Sequence, residues 1–225
     1  MKRLPLGIQT FEKIIDGDYL YVDKTEVINR LLTATGNVVF LSRPRRFGKS
    51  LLCSTLRSVF EGKRELFKGL ANDDLDLEWT EYPVIHIDFN AGDFMNGKTE
   101  LLSRISLSLK KSADKYGVTV PEDVPSSQFE NLIIALSRKF DQKVVVIIDE
   151  YDKPLLGTID APAIHKELRG MLKGFFGVLK TADEYLKFSF ITGVTKFSKV
   201  SIFSDLNQLD DISLKPEYAD ICGIT

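Results

Sequence analysis

Histidine and cysteine are almost missing from this chain, two of each in 225 residues. Cys53 and Cys222 stand 169 positions apart with no paired ligand spacing. That excludes a zinc cluster, a disulfide framework or a dithiol centre, and it predicts buried, inert thiols. His86 lies mid-strand with no histidine or cysteine near it and reads as a core residue. An excess of either charge is lacking too: 30 basic against 32 acidic residues give a net charge of −2, so neither a nucleic-acid footprint nor an anionic-membrane footprint is visible. No apolar run approaches the length needed to span a bilayer. Met1-Lys2-Arg3 opens a mixed segment rather than an apolar leader, and the expected location is the cytoplasm. What remains is an ordinary globular composition, 44% hydrophobic and 28% charged, in a length that suits one domain.

The most informative stretch is 37–56, NVVFLSRPRRFGKSLLCSTL. Residues 37–42 form a short β-branched run suited to a buried strand. A basic loop follows, and Leu51, Leu52, Thr55, Leu56 and Val59 then recur at helical spacing. Strand, loop and helix with Gly48-Lys49-Ser50 at the helix start is the layout of a phosphate-binding loop. The opening N–H groups of a helix lack internal partners and sit at the positive end of its dipole, so an anion satisfies them. Gly48 permits close backbone approach, Lys49 reaches the outer phosphates, and the Ser50 hydroxyl is placed for Mg2+. Expected ligand contacts therefore run through Arg45, Arg46, Phe47, Gly48, Lys49, Ser50 and Leu51. One departure stands out. In G-x-x-x-x-G-K-[ST] the first glycine falls at Arg43, and Pro44 behind it has no N–H to donate. The tripeptide alone would equally suit a basic strand-to-helix turn.

A second constellation raises its weight. Residues 143–148, KVVVII, form a continuous apolar run that ends in Asp149-Glu150-Tyr151-Asp152. Such a run suits a parallel strand covered on both faces, and its carboxyl end is where open α/β sheets bind ligands. Asp149 is the candidate Mg2+ carboxylate, and Glu150 is the candidate for polarising an attacking water. In residues 187–192, KFSFIT, the next strand ends at Thr192, with Thr195 and Lys196 close behind.

Four segments together resemble the bacterial AAA-ATPase-like family: Arg-Pro-Arg-Arg-Phe-Gly-Lys-Ser-Leu (43–51), Asp-Glu-Tyr-Asp-Lys-Pro (149–154), Ile-Thr-Gly-Val-Thr-Lys-Phe-Ser-Lys (191–199) and Tyr-Val-Asp-Lys-Thr (21–25). Arg43 in the first-glycine position is itself a habit of that family. The resemblance implies a P-loop NTPase of the additional-strand, catalytic-glutamate type, related to AAA+ and STAND ATPases, with ATP and Mg2+ as cofactors. It also implies, for some members, a C-terminal PD-(D/E)XK nuclease-like domain, which 225 residues are too few to include. In related ATPases the segment before the loop lies near the base, which makes Tyr21 and Val22 base contacts or, equally, sheet-edge packing; a polar residue ending the strand beside the acidic one commonly reads the γ-phosphate in this class, which makes Thr192 the candidate here.

In chain order, residues 5–23 read as loop-like, and Asp23 caps a helix over 24–34. Residues 61–81 read as solvated turns docked by Phe67 and Trp79. Residues 84–89 alternate as an outer strand whose Asp88 could face the site. Helices are expected over 98–116, from Ser127 with Glu130 as a capping box and Phe140 inward, and from Asp160 or Pro162 to about Lys180. Asn207-Gln208-Leu209-Asp210 resembles a guanine selector without its lysine. The fold expected is three-layer α/β, a P-loop NTPase with a central, mainly parallel sheet of about five strands. Within a single domain, 1–36 is an N-terminal segment and helix, 37–200 the nucleotide-binding core, and 201–225 the start of a C-terminal region that continues further. Function is expected to be Mg2+-dependent ATP binding with slow hydrolysis. The rivals are a non-hydrolysing nucleotide switch and the ATPase part of a nucleic-acid processing protein. Arg43, Arg45 and Arg46 are internal candidates for an arginine finger.

Overall fold

The computed structural model describes residues 2–34, 36–71, 79–195, 202–204 and 206–223. Lys196 falls outside them. Among the described residues five strands form one parallel sheet: β1 (Val38–Ser42), β2 (Val84–Asp88), β3 (Val144–Asp149), β4 (Leu186–Gly193) and β5 (Leu209–Asp211). Their spatial order is β2-β3-β4-β1-β5. Every pairing is parallel, with Val38 opposite Ser189 on one side and Leu209 on the other. The apolar runs at 38–41 and 144–148 are buried on both faces, which is why neither alternates.

Helices α4 (Lys98–Tyr116), α5 (Pro125–Phe140) and, after the single turn α6 (Lys153–Leu156), α7 (Pro162–Thr181) lie on one face of the sheet. There Ile105, Leu132, Leu136, Leu172 and Phe176 pack on Phe40, Val146, Ile148 and Ile191. Helices α2 (Thr25–Ala34) and α3 (Lys49–Phe60) cover the other, where Ile28, Leu52 and Leu56 meet Val39, Leu41, Ile147 and Phe190. This is the expected three-layer α/β arrangement. Strand parity decides what reaches each end of the sheet. Asp149 continues the Val145/Ile147 row and Thr192 continues the Phe188/Phe190 row, so both stand at the carboxyl edge on the α3 side.

Several local expectations need correction. Residues 5–23 include a one-and-a-half-turn helix, α1 (Phe11–Asp16), because Phe11 packs with Phe67 and Val59 and Ile14 is buried as well. Helix α5 begins at Pro125, not at a Ser127 cap: a proline at N1 supplies a preset φ and lacks only an N–H that would have gone unbonded. Glu130 accepts the Thr181 hydroxyl at 2.8 Å instead of closing a capping box. Phe140 is exposed and packs edge-on against Tyr116. Asp23 does serve the start of α2, accepting the Thr25 N–H at 2.9 Å. Cys53 and Cys222 are both buried and unbridged. Residues 209–222 are built into the sheet and core: Ile212, Tyr218, Ile221 and Cys222 are buried beside Ile28 and Leu52. No helix among the described residues is long and apolar enough to cross a membrane.

Candidate functional site

Gly48 carries a left-handed φ of 83° and forms the N-cap of α3. A side chain there would be strained, which explains glycine at that one point. The first intrahelical bond runs from Leu52 N–H to Gly48 O at 2.9 Å, so the N–H groups of Lys49, Ser50 and Leu51 lie ahead of the ladder. Arg46, with φ 66°, supplies a second left-handed turn in the loop. Arg45, Arg46 and Phe47 are exposed at its crest.

Lys49 is buried, and its side chain folds back over the loop. Its Nζ donates to Arg43 O and Pro44 O, each at 3.2 Å, and pairs with Glu150 Oε1 at 3.1 Å. Positions 49 and 150, a hundred residues apart, thus meet in space. Glu150 itself sits at a left-handed φ of 53°, an uncommon state for a non-glycine residue that the surroundings must hold. They do so on both sides. Tyr151 N–H donates to Thr192 O at 3.0 Å, and Lys153 N–H donates to Glu150 O at 3.0 Å.

Asp149 is 2% exposed, and its Oδ1 has no hydrogen-bond partner among the described residues. Burial pushes its carboxyl up to about 6; the Ser50 hydroxyl opposes this, while Asp88 and Glu150 add like charge. Asp88 is the register partner of Asp149 and shares its face, so it does reach the mouth. Thr192 is fully buried, and its Oγ1 likewise lacks a partner. Orphaned buried oxygens are costly and rare in native folds, and a bound ion or an ordered water is a common way of satisfying them. The donor set fits a hard cation: one deep carboxylate and a serine hydroxyl, with no group of three His, Cys, Asp or Glu among the described residues. Phosphate oxygens and water would complete such a shell.

Beside the loop lies a cavity of about 440 Å³ with mainly apolar walls. Tyr21 and Val22 line it from the N-terminal side, and Phe47, Gly48 and Leu51 line it from the loop and α3. Burial pushes the Tyr21 hydroxyl up to about 12, so it is a neutral phenol there. Asp210 of the guanine-selector look-alike is elsewhere, its carboxylate held by Lys215 at 2.7 Å.

A family model described as Predicted AAA-ATPase matches residues 5–203. The chain belongs to the AAA-ATPase-like family. Membership carries nucleotide binding as a general property. An uncharacterized protein in the vnfD 5′ region of Azotobacter chroococcum mcd 1 is 42% identical over 226 residues, which take in all of this chain and 43% of that protein. The chain therefore spans less than half the length of the curated relative it matches.

Within this AAA-ATPase-like fold, two features escaped the sequence reading. Asp152, fully buried, accepts the N–H of Val194 at 3.0 Å and both the N–H and the hydroxyl of Thr195 at 2.6 Å. It clasps the acidic turn to the segment after β4. Nothing in the Asp-Glu-Tyr-Asp spacing separates this buried acceptor from its neighbours. The second is the far wall of the cavity, made by Ile221, Cys222 and Gly223, whose only sequence signal is two apolar residues near the end of the chain.

Proposed function

We propose that this domain binds ATP with Mg2+ and hydrolyses it slowly, the change of ligand state being coupled to a conformational change. The observation that carries the reading is the meeting of Lys49, Ser50, Asp149, Glu150 and Thr192 at the carboxyl edges of β1, β3 and β4, beside an apolar cavity of base-binding size. Arg45 to Leu51 cradle the phosphates, Lys49 and the N–H groups opening α3 hold the outer ones, and Tyr21 and Val22 flank the base. Ser50 and Asp149 would hold the cation, which when bound neutralises charge on the transferring phosphoryl group. Glu150, released from Lys49 when a triphosphate takes its place, accepts a hydrogen bond from the attacking water and draws off its proton. Thr192, whose buried hydroxyl has no partner among the described residues, donates to the terminal phosphoryl oxygens. Because phosphoryl transfer needs positioning and charge more than covalent help, this set suffices for a basal rate.

Calorimetry with ATP and Mg2+ on wild-type protein and Lys49→Ala tests the assignment: binding at sub-millimolar ATP should vanish in the variant, and binding that survives would remove the phosphate-loop role. A second reading, a nucleotide-gated switch without turnover, is favoured by Pro44, which takes an N–H from the loop front, and by the Lys49–Glu150 pair. Phosphate release from purified protein separates the two. A third reading, coupling to a downstream nuclease-like domain, draws on the relative's being more than twice as long as this chain, and a search of the full reading frame for a later Asp…Glu-x-Lys cluster tests it.

A further inference from the structure

Position 43 is where the phosphate-loop pattern places its first glycine, and the arginine found there does not turn toward the phosphates. Its backbone N–H donates to Gly193 O at 3.1 Å, extending the β1–β4 ladder by one bond. Its guanidinium turns toward the C-terminal segment. One terminal nitrogen donates to Ser42 O at 3.1 Å and to Ser213 O at 2.6 Å, and the other donates to Tyr218 O at 3.1 Å. The planar fork of an arginine is suited to holding two carbonyls at fixed separation, which a lysine ammonium cannot do with the same rigidity. Here the two carbonyls belong to the turn leading to Ile221, Cys222 and Gly223.

Those last three residues close the cavity. Ile221 and Cys222 are buried against the α2 and α3 side chains Ile28 and Leu52. Gly223, at φ 87°, lets the chain pass beside the loop: a side chain there would meet Phe47 at 3.5 Å, and Gly223 N lies 3.8 Å from where Gly48 would carry a Cβ. The Ser42 N–H donating to Ser213 Oγ at 2.9 Å and the Arg30 guanidinium donating to Glu217 O at 3.2 Å fasten the same segment from two further sides. Arg43 is the loop residue whose side chain hydrogen-bonds the segment that leads to the third wall of the cavity.

We propose that Arg43 is a positioning residue for nucleoside recognition. It pins 213–218 so that 221–223 form a wall against the base, and in exchange it gives up any contact with the triphosphate. This rests on the nucleotide-binding reading above. It predicts a selectivity that neither a purely structural arginine nor a phosphate-binding one would show.

The test compares ATP with inorganic tripolyphosphate, each with Mg2+, by calorimetry on the wild-type chain, Arg43→Ala and Arg43→Lys. Hydrogen exchange over 212–223 is followed in parallel. Arg43→Ala should weaken ATP at least tenfold, leave tripolyphosphate within about twofold, and lose protection over 212–223 while α3 keeps its own. Arg43→Lys keeps the charge beside the loop and is the gentler change for folding. It should recover little of the ATP affinity, because an ammonium cannot hold both carbonyls in place. Equal loss of both ligands in the variants, or full recovery of ATP binding by Arg43→Lys, would assign Arg43 to the phosphates and overturn the proposal. So would unchanged ATP affinity in Arg43→Ala. A wild-type chain that binds neither ligand would instead bring down the nucleotide reading, and this inference with it.

Discussion

Replacing Glu150 by glutamine separates two roles that one carboxylate holds. Glu150 is the counter-ion of Lys49 at 3.1 Å, with side chains 12% and 3% exposed. At an effective dielectric near 20, that separation corresponds to a gross attraction of about 5 kcal/mol, most of it offset by desolvation of two nearly buried ions. Lys49 keeps the Arg43 and Pro44 carbonyls when the carboxylate is lost, so it is not left bare. A net loss of roughly 1–2 kcal/mol follows, lowering Tm by about 2–8 °C for a chain of this size. A triphosphate must displace Glu150 from Lys49, and in the variant that competition is gone. ATP should therefore bind about 5–30-fold tighter to Glu150→Gln, the same 1–2 kcal/mol read as an equilibrium constant. Turnover should meanwhile fall by about 10²–10⁴, the usual contribution of a positioned general base. Thermal shift, calorimetry and phosphate release on the two proteins read all three quantities. Equal or weaker ATP binding at unchanged Tm would refute the competition, and equal phosphate release would move the water-activating role to another residue.

Three other outcomes are expected. In Gly193→Ala the added methyl would lie 2.6 Å from both Asp152 Oδ1 and a Tyr151 ring carbon, so the acidic turn must shift. A cost of about 1–3 kcal/mol should appear as a Tm lowered by several degrees, and an unchanged Tm would show that the clasp is loose. Burial, with Arg57 adding to it, holds the His86 imidazole below its ordinary 6.5, so below that pH the unfolded chain takes up a proton that the native chain refuses. Native stability is then lost as pH falls, and in urea titrations from pH 7 to 5 His86→Gln should lose less than wild type; parallel losses would contradict this. Burial also pushes the Cys222 thiol up to about 12 and the Cys53 thiol well above its usual value. An aromatic disulfide reagent at pH 8 should label neither in the native protein and both in denaturant, whereas rapid native labelling would show that the cavity wall opens.

Much of this architecture was legible because long, periodic or unbroken apolar runs overdetermine their elements. The 37–42 and 143–148 runs, the helical spacing after Lys49 and the stripe ending at Leu179 each specify one structure and one face. Elements with no periodicity to read stayed hidden. Strand β5 is three residues long and exists because Val38–Phe40 offers it a free edge. Helix α1 depends on Phe11 finding Phe67 more than fifty residues away. At the candidate site, residue types and spacing pointed to Lys49, Ser50, Asp149 and Glu150. For Arg43 the sequence shows the charge that makes it a finger candidate but not the carbonyls that occupy it. Asp152 was hidden for the opposite reason, since its partners are two backbone N–H groups and a hydroxyl more than forty positions away.

The placement of β1 sets terms for how the chain comes off the ribosome. Both of its neighbours are made late: Val38 waits for Ser189 on one side and for Leu209 on the other. At about 5–20 residues per second, the first of these gaps lasts roughly 8–30 s, and all that time a fully apolar strand has nothing to pair with. The nascent segment 38–60 is thus a natural client for a holding chaperone, and synonymous codons that slow translation between positions 60 and 186 should lower the soluble yield without altering the finished protein.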